Sequence, residues 1–197
     1  MLTRSIVKTN SAYSYKIAET EDEKSRIYDL RETIWREEFP YLLKRAAAGH
    51  PAKDAYDDRS WLYYCRNADD IIGSCRGSPM LDGQWEISSS LPPDVRLQYD
   101  PQTTVQIEKV YVRAGYRNGC LHEFLFYYFS NWLLEHTAYT NYFAVCNAEL
   151  VRLYRRLGAK PASRKGLLLT GRASHKYYVV EGEISDVSTI IKQTHSL

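Results

Sequence analysis

The segment from Thr104 to Lys160 constrains the fold more than any other part of this chain. It begins with TVQIEKVYV, where β-branched and apolar residues lie close together, as is typical of a buried strand. A tight loop, GYRNGC, and a helix predicted from about Asn118 to His136 follow, and then a second strand, NYFAVCNA, and a short helix, ELVRLYRRLG. A loop between a strand and a helix presents free backbone N–H groups, so we expect an anion-binding site there.

The flanking sequence predicts a mixed sheet with helices on both faces. YSYKIAE from Tyr13 alternates like a strand, and Thr20 with Glu23 has the spacing of a capping box that opens a helix reaching Phe39. WLYYCRN and IIGSCRGSP surround the turn ADD and predict an antiparallel hairpin. KGLLLTG and KYYVVEGEIS are two further strand candidates. The order of these elements indicates an α/β fold with one mixed, mostly antiparallel sheet.

Length and charge limit the class of protein. The 197 residues are expected to form a single domain over 1–197, with a loose start over 1–12 and a C-terminal tail over 186–197. A net charge of +2 is too small to indicate a nucleic-acid partner. No apolar leader is evident, and the most apolar run, FLFYYFSNWLL, is interrupted by Ser130 and Asn131. We therefore expect a cytoplasmic protein without stable membrane insertion.

The four cysteines are expected to be buried free thiols. Cys65, Cys75, Cys120 and Cys146 have no C-x-x-C spacing and lie in predicted strands or at the start of a helix. The sequence spacing therefore predicts no metal site.

Two motifs in the central segment resemble the Gcn5-related N-acyltransferase (GNAT) superfamily. Arg117 matches the first position of its phosphate-loop signature, whereas Cys120 and His122 stand where small residues are usual. CNAELVRLYRRLGAK reproduces a later motif, with Asn147 and Tyr154 at its functional positions. The resemblance implies a GNAT fold with a V-shaped splay between the central strands, and Tyr154 as the acid that protonates a departing thiolate. The structural alternatives are that the loop is an ordinary connection between a strand and a helix, and that Tyr154 is a core tyrosine.

The same resemblance implies a set of residues that hold the pantetheine and phosphate of an acyl thioester. They are Arg117, Asn118, Gly119, Cys120 and Asn147.

The N-terminal half resembles the acyl-homoserine-lactone synthases, a branch of the same fold that takes acyl groups from acyl carrier protein. The residues that match its ordered pattern are Arg31, Asp54, Asp57, Arg76 and the pair Glu108–Lys109. The resemblance implies that Glu108 is the catalytic base and that the others bind substrate. The structural alternatives are that Arg31 is a solvated charge on a helix, that Asp54 and Asp57 are turn residues, and that Arg76 is a cation at the end of a strand.

The central strand departs from the lactone-synthase pattern, which has Glu, a variable residue, Ser or Thr, and Arg. This chain has Gln106, Ile107, Glu108 and Lys109, so the acidic residue has moved two positions and stays on the same strand face. A different amine acceptor would fit this change. Essentially the whole chain resembles the bacterial long-chain N-acyl amino acid synthases, in particular those that make N-acyl-tyrosine.

The donor is expected to be acyl carrier protein rather than coenzyme A. Cys120 and His122 should hinder the close backbone approach to a pyrophosphate that glycine allows, whereas the carrier protein offers one phosphodiester. Residues 113–165 contain eight basic and three acidic residues. A basic rim would steer an acidic carrier protein, although a solvated helix face is the alternative. The candidate docking residues are Arg152, Arg155, Arg156 and Lys160.

An aromatic face of the predicted central helix is a candidate wall for an acyl chain, with ordinary core packing as the alternative. The proposed pocket residues are Phe124, Tyr128, Trp132 and Phe143. No permanently bound cofactor is expected, because acyl-phosphopantetheine would serve as a co-substrate.

The sequence thus predicts an N-acyltransferase that moves a long-chain fatty acyl group from acyl carrier protein to the α-amine of an amino acid, with tyrosine suggested by the resemblance. Three alternatives are a lactone synthase that uses S-adenosylmethionine, an acetyltransferase that uses coenzyme A, and an acyl-binding module without catalysis.

Overall fold

One sheet of eight strands organises the chain in the computed structural model, which describes residues 13–45, 50–162, 165–172 and 175–197, without the side chains of residues 44 and 45. The strands are β1 (Tyr13–Ile17), β2 (Trp61–Asn67), β3 (Asp70–Ser78), β4 (Thr104–Val112), β5 (Asn141–Asn147), β6 (Lys160–Pro161), β7 (Leu167–Leu168) and β8 (Lys176–Glu183). The helices are α1 (Glu21–Glu38), α2 (Leu121–His136), α3 (Ala148–Arg156) and α4 (Ile184–His195).

The sheet is mixed but mostly antiparallel, as the sequence predicts. Its order is β1-β2-β3-β4-β5-β8-β6, with β7 also paired to β8. Only β4 and β5 run parallel among the described strands, and they pair across three positions, from Thr104 with Asn141 to Gln106 with Phe143. Beyond these positions β4 and β5 no longer pair with each other, so the sheet opens between them. This opening is the predicted V-shaped splay.

A β-bulge lies in β4 beside the opening. Ser74 pairs with Tyr111 and Arg76 pairs with Glu108, so β4 has one more residue than β3 across this step. Lys109 adopts the left-handed backbone conformation, with a φ of 50°. A non-glycine residue in this region is strained, and bulges of this kind interrupt strand pairing and redirect side chains. The bulge therefore leaves β4 backbone groups outside the β3–β4 ladder at the edge of the cleft.

Helices cover both faces of the sheet. On one face α2 and α4 pack over β3, β4 and β5, and the core there contains Val105, Leu125 and Phe129. The approach is close, because a Cβ added at Gly77 would lie 2.7 Å from Cζ of Phe129. On the other face α1 packs over β2 and β3 through residues such as Ile27.

Most predicted elements are confirmed. The capping box of α1 is present, since Thr20 Oγ1 accepts from the backbone N–H of Glu23 at 3.2 Å. The four cysteines are free, and Cys65, Cys75 and Cys146 are buried.

None of the helices in the described part of the chain is both long and apolar enough to cross a membrane.

The C-terminal prediction was wrong in two respects. The strand candidate KGLLLTG contains only the two-residue β7, and most of the predicted tail over 186–197 lies in α4. The helical spacing is carried by Ile184, Val187 and Ile191, which are buried against α2. This spacing was missed because KYYVVEGEIS was interpreted as a strand up to Ser185. The central helix begins at Leu121, a few residues later than predicted. The loose start over 1–12 lies outside the described residues.

Candidate active site

A cleft occupies the opening between β4 and β5. Its volume is about 140 Å³, and its walls include Glu108 and Lys109 from β4, Asn147 at the end of β5, and Tyr154 from α3. The two predicted catalytic residues, Glu108 and Tyr154, therefore face one cavity although they come from different elements. The parallel pairing of β4 and β5 at one end and its loss at the other creates the space between them.

Glu108 is held by a dense set of donors. Arg76 donates from Nε at 3.0 Å and from Nη2 at 2.8 Å, and Ser78 Oγ donates at 2.6 Å, all to Oε1. Burial raises the pKa of Glu108 to about 8, with the charge of Glu86 adding to this effect and that of Arg76 opposing it. A carboxyl with such a pKa can exchange protons near neutral pH, which an ordinary glutamate does poorly.

Burial explains why a proton can remain on Glu108. The cluster around it contains four cations and four carboxyl groups: Arg31, Arg76, Lys109 and Arg172 with Asp54, Asp57, Glu86 and Glu108. The ionised form of Glu108 loses its solvation in this site, and that cost outweighs the attraction to Arg76. Protonation of the carboxyl that faces the cleft removes this cost.

Arg76 and Arg31 form the buried base of this cluster. Arg76 is fully buried and donates from Nη1 to Asp54 at 2.6 Å and to Asp57 at 2.7 Å. Arg31 is 1% exposed and donates to Asp57 at 2.8 Å and to the carbonyl of Ala52 at 2.9 Å. Arg31 Nε is buried without a hydrogen-bond partner among the described residues. Neither arginine is among the residues that line the cleft, so they orient the carboxyl groups of Asp54, Asp57 and Glu108 and do not reach a substrate themselves. Removing one partner of a buried pair typically costs about 3–5 kcal/mol.

A second pocket, of about 310 Å³, lies beside the cleft and under α1. The two cavities share lining from Glu86, Lys109 and Arg172. Lys109 Nζ lies 2.9 Å from Asp54 Oδ2 and 3.7 Å from Glu86 Oε1. Burial alone would raise the pKa of Glu86, but the charges of Lys109 and Arg76 prevail and lower it to about 2. Glu86 is therefore the ionised member beside a neutral Glu108.

Glu86, Arg172 and Ser78 are site residues that the sequence interpretation missed. Glu86 lies in a 3-10 turn, Glu86–Ser90, between β3 and β4. Arg172 lies in the loop before β8, and its Nε is buried without a hydrogen-bond partner among the described residues. No local signal identifies such residues, because their importance comes from the strands they meet in the folded chain.

Tyr154 is buried against Phe126 of α2. Its side chain is 4% exposed and meets the ring of Phe126 edge-on at 5.4 Å. Burial raises the pKa of the phenol, so it stays protonated and has a proton to donate. Asn147 caps α3, since its Oδ1 accepts from the backbone N–H of Leu150 at 3.1 Å. This bond leaves the Asn147 amide N–H₂ group as the donor available toward the cleft.

The predicted phosphate loop is arranged differently from the expectation. Arg117 points toward α1, where its Nη1 lies 2.9 Å from Oε2 of Glu38, and its Nε donates to the carbonyl of Val112 at 2.7 Å. Asn118 and Gly119 are exposed, and a Cβ at Gly119 would meet nothing within 4 Å. An anion at this loop would thus bind to backbone groups unless Arg117 left Glu38.

The four residues predicted to form an acyl-chain pocket do not line one cavity in this structure. Phe124, Tyr128 and Trp132 lie along α2, whereas Phe143 belongs to the cluster on the opposite face and stacks on Tyr99 at 4.6 Å. The prediction failed because residue 143 of β5 points away from α2, which periodicity in the helix alone could not reveal.

A different apolar cavity lies between α2, α4 and the base of the splay. Ile107, Phe129 and Tyr142 contribute to its walls, and its volume is about 10 Å³, room for about one water molecule. A long chain could enter only if α2 or α4 shifted.

The four candidate docking residues lie on the surface. Arg152, Arg155, Arg156 and Lys160 are all exposed, on α3 and at the start of β6. The three arginines share α3 with Tyr154, which lines the cleft.

The described architecture has the GNAT fold, as it occurs in solved structures of acyl-homoserine-lactone synthases. No protein family and no curated protein matches the chain by sequence. Among solved structures, the coenzyme A-dependent lactone synthase BjaI, with S-adenosylmethionine and isopentyl-CoA, has a TM-score of 0.71 and 14% identity, over 90% of this chain and 83% of BjaI. The lactone synthase LasI has a TM-score of 0.68 and 11% identity, over 87% of this chain and 90% of LasI.

A broader GNAT likeness extends to Arabidopsis thaliana NAA60 in complex with acetyl-CoA, with a TM-score of 0.58 and 15% identity, over 88% of this chain and 99% of NAA60. At these identities the likeness establishes the fold, and the chemistry must be argued from the site.

Proposed function

We propose that this protein is an N-acyltransferase that moves a long-chain fatty acyl group from acyl carrier protein to the α-amine of an amino acid, with tyrosine as the acceptor. The observation that carries the proposal is that Glu108, with a pKa raised to about 8, and the protonated Tyr154 line the same cleft. Two groups with separated pKa values on one cavity suit a reaction that needs both a base and an acid.

In the proposed reaction the thioester lies in the opening between β4 and β5. Glu108, directly or through water, takes a proton from the attacking ammonium of the acceptor. The amine nitrogen then bonds to the thioester carbon, and a backbone N–H near Val110 or Tyr111, next to the bulge, stabilises the oxyanion. Such a donor is typically worth about 2.7–4 kcal/mol. As the carbon–sulfur bond breaks, Tyr154 protonates the pantetheine thiolate. The attacking nitrogen gives up its second proton to the tyrosinate oxygen, directly or through water, which leaves a neutral amide and restores the phenol.

The pocket beneath α1 is the proposed acceptor site. Asp54 and Glu86 supply negative charge near the place where an ammonium group would enter, whereas Lys109 and Arg172 can pair with its carboxylate. Arg172 takes the role that the sequence suggested for Arg76, because Arg76 is fully buried and already paired with acidic groups. Arginine is well suited to bidentate pairing with a carboxylate.

Two features of the same pocket favour an aromatic acceptor. Trp35 and Tyr56 contribute to its walls, and their rings can pack against another ring. The volume of about 310 Å³ is at the lower end of the range for small-ligand pockets, so a single amino acid is the expected size of ligand.

The donor assignment rests on the exposed basic residues of α3 and on the loop before α2. Four exposed cations beside the cleft would attract an acidic carrier protein. The similarity to BjaI, which is coenzyme A-dependent, makes acyl-CoA the competing donor.

One experiment tests donor and acceptor together. The purified protein is incubated separately with long-chain acyl carrier protein and with acyl-CoA, in each case with all the amino acids, and the products are identified by mass spectrometry. We expect N-acyl-tyrosine from the carrier-protein donor. A faster reaction with acyl-CoA would refute the donor assignment, and another N-acyl amino acid would refute tyrosine. A lactone formed after addition of S-adenosylmethionine, or no turnover by folded protein, would refute the proposed activity.

A further inference from the structure

Three side chains with metal-binding atoms converge where α2 begins and α4 ends. Cys120 Sγ, a carboxylate oxygen of Glu123 and a ring nitrogen of His195 all lie within 4.8 Å of one another. His195 Nε2 is 2.6 Å from Glu123 Oε2, and the His195 side chain is only 7% exposed. Cys120 and Glu123 face the same direction because they are three residues apart across the first turn of α2.

His122 lies next to this group but does not belong to it. Its Nε2 lies 3.6 Å from Glu123 Oε1, and its side chain is 23% exposed. Glu123 thus has a histidine near each carboxylate oxygen, His195 at Oε2 and His122 at Oε1. His122 is therefore a neighbour that orients the Glu123 carboxylate.

We propose that Cys120, Glu123 and His195 bind a zinc-class divalent cation. A thiolate, an imidazole and a carboxylate are all ligand types that Zn²⁺ uses, and three protein ligands with water in the fourth position suit its tetrahedral geometry. The site carries two negative charges when the thiol is ionised, which balances the cation. Binding breaks the S–H bond of Cys120 and releases its proton to the solvent as the metal–sulfur bond forms.

The site accounts for a sequence departure that the proposed acyl transfer does not use. Cys120 replaces one of the small residues that are usual in the GNAT phosphate loop. As a metal ligand it would connect the start of α2 to the last residue of α4. The two helices also meet where Phe124 packs against the ring of His195 at 4.9 Å and where Ser188 Oγ donates to Asn131 Oδ1 at 2.8 Å. The bound cation would stabilise the folded chain and hold the loop before α2.

The test is metal binding by the full chain after treatment with a chelator and removal of the chelator. Zn²⁺ is titrated by calorimetry, and Co²⁺ is used as a spectroscopic probe, because a cobalt–thiolate bond produces a charge-transfer absorption. We expect one equivalent of either metal to bind. Cys120→Ser should abolish the charge-transfer absorption, and His195→Gln should weaken Zn²⁺ binding more than about 100-fold, since outer-shell residues alone are worth about 10- to 100-fold.

His136→Gln is the matched control. His136 is exposed at the other end of α2, where its ring stacks on Trp132 at 4.9 Å, and its replacement should leave binding unchanged. Circular dichroism checks that each variant is folded. The proposal is wrong if the folded wild-type chain binds neither metal, or if Cys120→Ser and His195→Gln bind both metals as the wild type does. Because the readout is binding, its failure is separable from failure of the proposed acyl transfer.

Discussion

Replacing Glu108 by glutamine tests the proposed base while disturbing the fold very little. With a pKa raised to about 8, Glu108 carries a proton in most molecules at pH 7, and an amide resembles that neutral form. The amide oxygen can still accept from Arg76 Nη2 and from Ser78 Oγ, which lie 2.8 Å and 2.6 Å from Oε1. The free energy of unfolding should therefore change little in Glu108→Gln.

The catalytic cost of the same substitution should be large. Loss of a general base typically lowers the rate by about 10²- to 10⁴-fold, which corresponds to about 2.7–5.4 kcal/mol in the barrier. In the wild type, kcat/KM should rise about tenfold for each pH unit below about 8 and level off above it, because only the ionised carboxyl can take a proton.

The assay is thiol release from acyl carrier protein at saturating acceptor, measured across the pH range for both proteins. Ser78→Ala is the matched control: it removes a hydrogen bond that favours ionised Glu108, so the rise in rate should move to higher pH. The acceptor amine also titrates, but Ser78→Ala cannot alter the pKa of the free amine. A wild-type rate in folded Glu108→Gln, or an unmoved pH profile in Ser78→Ala, would refute the role of Glu108.

Three further substitutions test other parts of the structure. Tyr154→Phe should lower turnover by about 10²- to 10⁴-fold with a pantetheine thioester, because it removes the proposed acid, and kinetics with an aromatic thioester should show a smaller loss. Charge reversal of Arg155 and Arg156 should raise KM for acyl carrier protein more than KM for acyl-CoA in steady-state assays. Gly77→Ala should lower the free energy of unfolding by about 1–3 kcal/mol in urea, because the new Cβ would press on Phe129.

Each of these expectations has a comparison that can contradict it. An equal loss with both kinds of thioester would mean that Tyr154 does not protonate the leaving group. Equal changes in both KM values would show that Arg155 and Arg156 do not bind acyl carrier protein specifically. Gly119→Ala is the control for Gly77→Ala, since a Cβ at residue 119 meets nothing within 4 Å, and equal destabilisation by both would show that steric contact is not the cause.

Local signals were sufficient for much of the fold. The capping residues of α1, the alternation in β1 and the hairpin of β2 and β3 are encoded within short windows, because backbone periodicity and capping act over a few residues. Two motifs around Arg117 and Asn147 suggested the superfamily fold before any tertiary contact was known. The C-terminal helix was missed because its first residues also continue a plausible strand.

The candidate site could be predicted only in part. Glu108 and Tyr154 were identified because they lie within recognisable segments of the chain. Glu86 and Arg172 were not, since both lie in irregular chain and acquire their roles from Lys109 and the cleft. The predicted acyl pocket was wrong for a related reason. The direction of the Phe143 side chain is set by its strand, and the helical spacing of residues in α2 cannot predict it.

Local sequence patterns indicated most of the strands and helices and the chemical groups carried by the central strand and α3, because both depend on nearby residues. How those groups behave depends on the folded chain. Burial among Arg76, Glu86 and Ser78 turns Glu108 into a group that titrates near neutral pH. Packing of α4 on α2 brings His195 to Cys120, two residues far apart in the chain. The desolvation of Glu108 and the approach of His195 to Cys120 arise only in the folded chain, because they involve residues that are distant in the sequence.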